Sequence, residues 1–205
     1  MVQSQLIRHQ VAIAGQVINA QTKKAIAKVE VMITKAPDAF THWLGLKSLQ
    51  HGDRSSYLTR TAFDGYFHFW DLPEGEYTLT ALLPNAARRY GTAMIAVTVP
   101  SYIEGIEGKI IMTAADMELP ITVLNGNISN QNGEPVFMAK VRVKGSTEST
   151  FSNDKGQYSL IGLESSEIKR IAIVSAQGYQ PTSQSVVISH PSTDLQPPLN
   201  FILQG

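Results

Sequence analysis

The chain of 205 residues has no cysteine. Disulfides, thiolate metal sites and a cysteine nucleophile are therefore excluded, and the sequence carries no mark of a redox compartment. Charge is scarce: Asp, Glu, Lys and Arg make up 17% of the chain, against a usual share of about 25%. It is also balanced, with 17 basic and 17 acidic residues and a formal net charge of zero. Nothing global draws such a chain to nucleic acid or an anionic membrane, and nothing opposes association between copies. No apolar run reaches the about 18 residues of a membrane-spanning helix. The N-terminal stretch MVQSQLIRHQVAIAGQV is interrupted by polar residues and lacks the apolar centre of a signal peptide. The expected location is the cytoplasm, or a particle assembled there.

What is present is a core. Hydrophobic residues make up 43% of the chain, enough to pack two units of about 100 residues each. A repeat supports that division. Val11–Ile33 (VAIAGQVINAQTKKAIAKVEVMI) is echoed by Ile121–Val143 (ITVLNGNISNQNGEPVFMAKVRV). Each starts with an alternating strand containing a glycine (Gly15, Gly126), passes a polar turn, and resumes alternation at Val29 and Val31 or Val141 and Val143. Period-two alternation places one face inward and one outward. Downstream, TAFDGYFHFWDL (Thr61–Leu72) is matched by SNDKGQYSLIGL (Ser152–Leu163), pairing Gly65 with Gly156, Phe67 with Tyr158, Phe69 with Leu160 and Leu72 with Leu163. Gly in such a turn tolerates positive φ, which makes a hairpin signal.

Each copy reads as about seven short strands with regular turn signals, the pattern of an all-β sandwich. The expected domains are 1–119 and 120–205, joined near Leu119-Pro120 by almost no linker, which predicts a narrow range of interdomain angles. One segment lacks a counterpart. In Pro37–Tyr57, Phe40, Trp43, Leu44, Leu46 and Leu49 fall near helical spacing, which predicts a short amphipathic helix over residues 38–50. Gly45 weakens that helix.

The pattern T-A-x-D-G-Y-F-x-F-x-x-L-P-x-G-x-Y, Thr61–Tyr77, resembles the core motif of carboxypeptidase regulatory-like domains. The second copy carries it through Asn153, Asp154, Gly156, Tyr158, Leu160 and Leu163, without the Pro-x-Gly-x-Tyr ending. The resemblance spans residues 10–203 and implies two tandem seven-stranded Greek-key sandwiches of the transthyretin-like or prealbumin-like kind. It says little about function, because such modules are appended to many unrelated proteins. AFTHWLGLK, HGDR and GYFHFWDLPEGEYTLTALLP also resemble stand-alone two-module proteins of phage-tail-like contractile injection systems. That resemblance implies a structural or adaptor component of a particle.

No catalytic constellation accompanies these modules. His9, His42, His51, His68 and His190 show no H-E-x-x-H or H-x-H spacing, so no metal site is expected, including one shared by His42, His51 and His68. Asp64-Gly65 and Asn153-Asp154-Lys155-Gly156 lack the full calcium loop and read as turns. No G-x-S-x-G elbow or phosphate loop occurs, and Gly145-Ser146-Thr147 reads as a turn. The tail NFILQG lacks the Tyr- and Ser-containing tetrapeptide of transthyretin-like hydrolases. Arg88-Arg89-Tyr90 and Lys23-Lys24 read as solvated surface rather than phosphate sites, and nucleic acid is not expected. Some related sandwiches form a Lys–Asn isopeptide bond. Lys140 and Asn200 are the only such pair singled out, and no carboxylate is well placed beside them.

No enzyme activity and no cofactor are therefore expected. The leading expectation is a structural or adaptor protein with protein partners and possible self-association. The expected interface residues are Phe40, Trp43, Trp70 and Tyr90, with Trp70 foremost because it faces opposite to Phe69 on one strand. The alternative is a pair of carbohydrate-binding modules using Trp43, Trp70 and Tyr90 as sugar platforms.

Overall fold

A computed structural model describes residues 10–51, 57–100, 112–191 and 196–205. The chain divides into two compact units, Met1–Pro84 with Thr92–Leu119, and Asn85–Gly91 with Pro120–Gly205. The second unit thus takes in residues 85–91, which the repeat alone had assigned to the first. The reason is hydrogen bonding: Thr122 and Ser165 N–H groups donate to the carbonyls of Arg89 and Arg88 at 2.9 and 2.7 Å.

The first unit contains β1 (Val11–Asn19), β2 (Glu30–Lys35), α1 (Asp38–His51), β3 (Leu58–Arg60), β4 (Tyr66–Trp70), β5 (Gly75–Leu82), β6 (Ala93–Val99), β7 (Thr113–Ala114) and β8 (Met117–Leu119). One sheet runs β4-β1-β7, with β8 also alongside β1; the other runs β3-β2-β5-β6. β4 is antiparallel to β1, whereas β7 and β8 are parallel to it. Alternation fixes the buried set: Val17, Phe67, Phe69, Tyr77, Leu79 and Leu119 are buried while their strand neighbours turn outward. A register shift between Val11 and Ile13 lets the consecutive residues Ala12 and Ile13 both turn inward.

The second unit contains β9 (Val123–Asn130), β10 (Lys140–Val143), β11 (Ser149–Phe151), β12 (Gln157–Ile161), β13 (Ser166–Ser175), β14 (Thr182–Ile188) and β15 (Phe201–Leu203). Its sheets run β12-β9-β15 and β11-β10-β13-β14. This is the pairing order of the first unit, with β15 standing where β7 and β8 stand. Leu124, Ile128, Tyr158, Leu160 and Phe201 from one sheet pack with Val141, Val143, Ala172, Val174 and Ile188 from the other in one core. Burying each large aliphatic or aromatic side chain contributes about 1.5–3 kcal/mol. On β13 the inward face is the small one: Ala172 and Val174 are buried, and Ile171 is exposed.

The correspondence reaches the hydrogen bonds. Thr61 Oγ1 donates to Ile26 C=O at 2.7 Å and accepts from Val29 N–H at 3.0 Å. Ser152 Oγ donates to Val136 C=O at 2.6 Å and accepts from Ala139 N–H at 2.9 Å. Both hydroxyls are buried and tie the turn before β2 or β10 to the following hairpin. The Asn19 side-chain oxygen accepts from Gln21 and Thr22 N–H, and that of Asn130 from Asn132 and Glu134 N–H. These are turns in which the side chain substitutes for a backbone acceptor.

Two glycines are fixed by close approach. A Cβ on Gly15 would lie 2.1 Å from the carbonyl oxygen of Ala115, and one on Gly126 would lie 2.0 Å from that of Leu199. The returning chain therefore crosses each first strand where only glycine fits.

Helix α1 occupies residues 38–51, close to the expected 38–50. Phe40 is buried, Trp43 and Leu44 are half-buried, and Thr41, His42 and Gly45 are exposed, so the first turns present one apolar face. The side chains of Leu46, Leu49 and His51 lie outside the described residues. Among the described residues, no helix is long and apolar enough to cross a membrane.

Candidate functional site

Of the four expected contact residues, Phe40, Trp43 and Trp70 lie in the first unit and Tyr90 in the second. Phe40 stacks on Trp43 with ring centroids 5.4 Å apart, and meets Tyr77 edge-on at 5.8 Å. Phe40 is therefore a packing residue of the first unit, not a contact residue: its ring is covered by Trp43 on one face and by Tyr77 at its edge. It is Phe40, rather than Trp43, that reaches the core. Tyr90 is half-buried and belongs to the second unit, where it bridges to Ile121. Trp43, the first residue of the expected sugar platform, is half-buried against Phe40.

Trp70 faces outward. It is 46% exposed on the outward face of β4, opposite the buried Phe69. His68 lies edge-on to it at 5.0 Å, and Tyr66 on the same face is 55% exposed. The row Tyr66–His68–Trp70 thus follows from alternation along a strand whose other face, Phe67 and Phe69, fills the core. Phe63, in the turn before β4, is 89% exposed. Among the described residues the strand ends its sheet, with β1 on one side only. The turn residue Asp71 closes β4: at φ 55° its N–H donates to Gln10 C=O, and its carboxylate accepts from Gln10 N–H at 2.7 Å. The second unit has Gly162 there, at φ 79°.

Several titratable groups are engaged in structure. Arg89 pairs with Glu148 and reaches Glu164 at 3.4 Å. Ser146 Oγ donates to the other Glu148 oxygen. That hydrogen bond, with the backbone and Arg89, holds the Glu148 carboxyl down at about 2. Lys23 pairs with Glu118 at 2.7 Å. So Arg89 and Lys23 of the two basic pairs are turned to carboxylates. Burial pushes the Tyr77 hydroxyl up to about 12 and raises that of Tyr158 as well. Both stay neutral donors, to Pro73 C=O at 2.8 Å and Leu199 C=O at 2.6 Å.

The remaining candidates resolve as turns and surface. Asp64 Oδ1 accepts from Tyr66 N–H, and Asn153 Oδ1 from Lys155 and Gln157 N–H. Gly145 at φ 78° closes the β10–β11 turn. His42 and His68 are exposed, His190 Nε2 lies 3.0 Å from Ala87 C=O, and His9 lies outside the described residues. Among the described residues, no group of three or more His, Asp or Glu could hold a metal ion. The Asn200 side-chain oxygen accepts from Asn127 N–H at 2.8 Å, while Lys140 is exposed on a strand of the other sheet. That arrangement does not favour an isopeptide bond between them.

Sequence reasoning missed the buried hydroxyls of Thr61 and Ser152. A signal was present, since both stand at the same place in the repeat. It also missed Arg89–Glu148, whose partners lie 59 residues apart.

Residues 124–201 match the model of the CarboxypepD_reg-like domain family. No curated protein matches the chain. Among solved structures it is similar to the shaft pilin SpaA from Lactobacillus rhamnosus GG, at 10% identity and a TM-score of 0.43, with 96% of each chain covered. It is similar to the Bacillus anthracis TIE protein at 13% identity and a TM-score of 0.39, covering 95% of this chain and 34% of that one. It is also similar to GBS52, a minor pilin of Streptococcus agalactiae, at 10% identity and a TM-score of 0.32, with 94% of each chain covered. Likenesses this slight carry no argument about function.

Proposed function

We propose that the chain is a non-catalytic structural or adaptor protein of two carboxypeptidase regulatory-like modules, and that it contacts protein partners through the outer face and free edge of β4. The observation that carries this reading is the row Tyr66–His68–Trp70 on a strand that ends its sheet. The corresponding residues of β12 are Gln157, Ser159 and Ile161, so the fold itself does not require aromatics there. Aromatic side chains anchor protein contacts, and an edge strand offers unpaired backbone groups to an added strand. The family match within the second unit and the matching strand order of the first support the two-module reading.

The finer assignment, a component of a phage-tail-like contractile injection particle, rests on the sequence resemblance alone. A photo-crosslinking residue at Phe63, introduced in the native host, tests both levels. The expected result is one dominant protein adduct that disappears when Trp70→Ser is added. Adducts equal to those of a control probe at Phe137 in the second unit sink the contact surface. A specific adduct to a protein outside any tube, sheath or baseplate sinks the particle assignment and leaves the adaptor role.

A further inference from the structure

The second unit carries a surface groove of about 580 Å³ lined by Asn125, Asn127, Gln157, Gln196, Pro197 and Pro198, with Tyr158 also in its lining. Its origin lies in the returning chain. In the first unit, Ala115 N–H donates to Ala14 C=O at 2.9 Å; in the second, Leu199 N–H donates to Asn125 C=O at 2.8 Å. Those bonds align Thr113-Ala114 with Pro197-Pro198. Thr113 and Ala114 form β7 and pair with β1. Prolines have no N–H to donate to such a ladder, so beside β9 the backbone bonds begin with Leu199 and the strand ladder with Phe201.

Among the described residues, the lining contains no charged residue. Asn125 and Asn127 point outward from β9, two residues and therefore about 7 Å apart along the strand. Gln157 stands directly opposite Asn127 on β12, and Ser159 opposite Asn125. The side chains of Asn125 and Asn127 have no hydrogen-bond partner among the described residues, and each carboxamide offers two donors and an acceptor. The wall, by contrast, is pinned. Gln196 accepts from Ser189 N–H at 3.0 Å and donates to Val187 C=O at 2.9 Å.

A fitting ligand is uncharged, carries groups that both donate and accept at a spacing of about 7 Å, and has an apolar face for the proline rings. An added peptide strand fits poorly, because β9 is already bordered by β12 and by the segment leading into β15. We infer that this groove binds a neutral oligosaccharide, with Asn125 and Asn127 bonding its hydroxyls and Pro197 and Pro198 taking a C–H face. The site is independent of β4 and uses none of Trp43, Trp70 or Tyr90.

The test is a titration of the ¹⁵N-labelled full chain with three neutral probes, maltotriose, cellotriose and chitotriose, followed at the side-chain amide resonances. A trimer of galacturonate and a proline-rich peptide serve as controls. The expected result is a saturable shift at Asn125 and Asn127 with at least one neutral trisaccharide. N125A/N127A should weaken it by about tenfold or more, and N125D should weaken it too, because an ionised carboxylate cannot donate. Both positions are exposed, so unchanged backbone spectra confirm folding of the variants. No response to any of the three neutral probes overturns the inference. So does equal or tighter binding of galacturonate or the peptide, or undiminished binding by folded N125A/N127A.

Discussion

The edge strands β4 and β12 occupy the same place in their sheets but present different surfaces. Inward they agree: Phe67 and Phe69 are matched by Tyr158 and Leu160, and all four are buried. Outward, Tyr66, His68 and Trp70 stand against Gln157, Ser159 and Ile161. The return strands differ as well. The first unit ladders β7 onto β1, whereas the second substitutes Pro197-Pro198 and opens a groove. What the units share is therefore the apparatus of folding, and what they do not share is where the two proposed surfaces lie. Each prediction tests one side of that division.

The largest effect is expected at the shared glycines. Gly15→Ala and Gly126→Ala each drive a methyl group into a carbonyl oxygen of the returning chain. Backbone cannot yield as a side-chain end does, so each variant should lose about 3 kcal/mol or more from the unit that carries it. Urea unfolding monitored in each unit checks this. A loss in one unit only would break the equivalence of the two crossings.

Next come the buried hydroxyls. Thr61→Val and Ser152→Ala each leave one N–H and one C=O without their partner. Each should cost about 2 kcal/mol, in thermal or urea unfolding, and by similar amounts. A cost below about 0.5 kcal/mol at either site would show that the turn finds other partners.

Glu148 sharpens the contrast from the other side, because the first unit has no counterpart in the described residues. Its carboxyl sits at about 2 in the folded chain against an ordinary 4.5. Since the folded value is depressed, its stabilising contribution is present above pH 4.5 and fades as the pH falls toward 2. The pair with Arg89 is partly solvated, so the contribution is no more than about 1 kcal/mol. E148Q should lower stability near neutral pH by that amount and converge with the parent near pH 2. A constant difference between the two across that window contradicts the linkage.

The legible parts of the fold were those written locally. Alternation in Tyr66–Trp70 and Gln157–Ile161 gave the inward residues, and the Gly65 and Gly156 turns marked the hairpins, because both signals lie within a few residues. The less legible parts depend on segments brought together by folding. Phe40 has helical spacing whether it faces solvent or Tyr77. Residues 85–91 fell within the expected first domain, because their bonds to Thr122 and Ser165 lie more than thirty positions away. The consequence of Pro197-Pro198 appears only beside β9. The outward placement of Trp70 was legible from strand parity, whereas the groove was not, since its amides were ordinary outward strand residues.

The smallest effect on folding, and the most pointed one for function, is expected at Trp70. Its ring is nearly half exposed and meets His68 edge-on, so its loss leaves the Phe67–Phe69 core untouched. Trp70→Ser should change folding stability by no more than about 0.5 kcal/mol. Ile161→Ser at the matching position should be equally mild. If β4 is a contact strand, only the first substitution removes the crosslinked partner, because only there does the fold expose an aromatic row it does not need. If both substitutions leave partner capture unchanged, β4 and β12 differ in composition but not in role. If instead Trp70→Ser destabilises the first unit by about 2 kcal/mol or more, the indole is packed in solution, and the row Tyr66–His68–Trp70 belongs with the folding apparatus that the two units share.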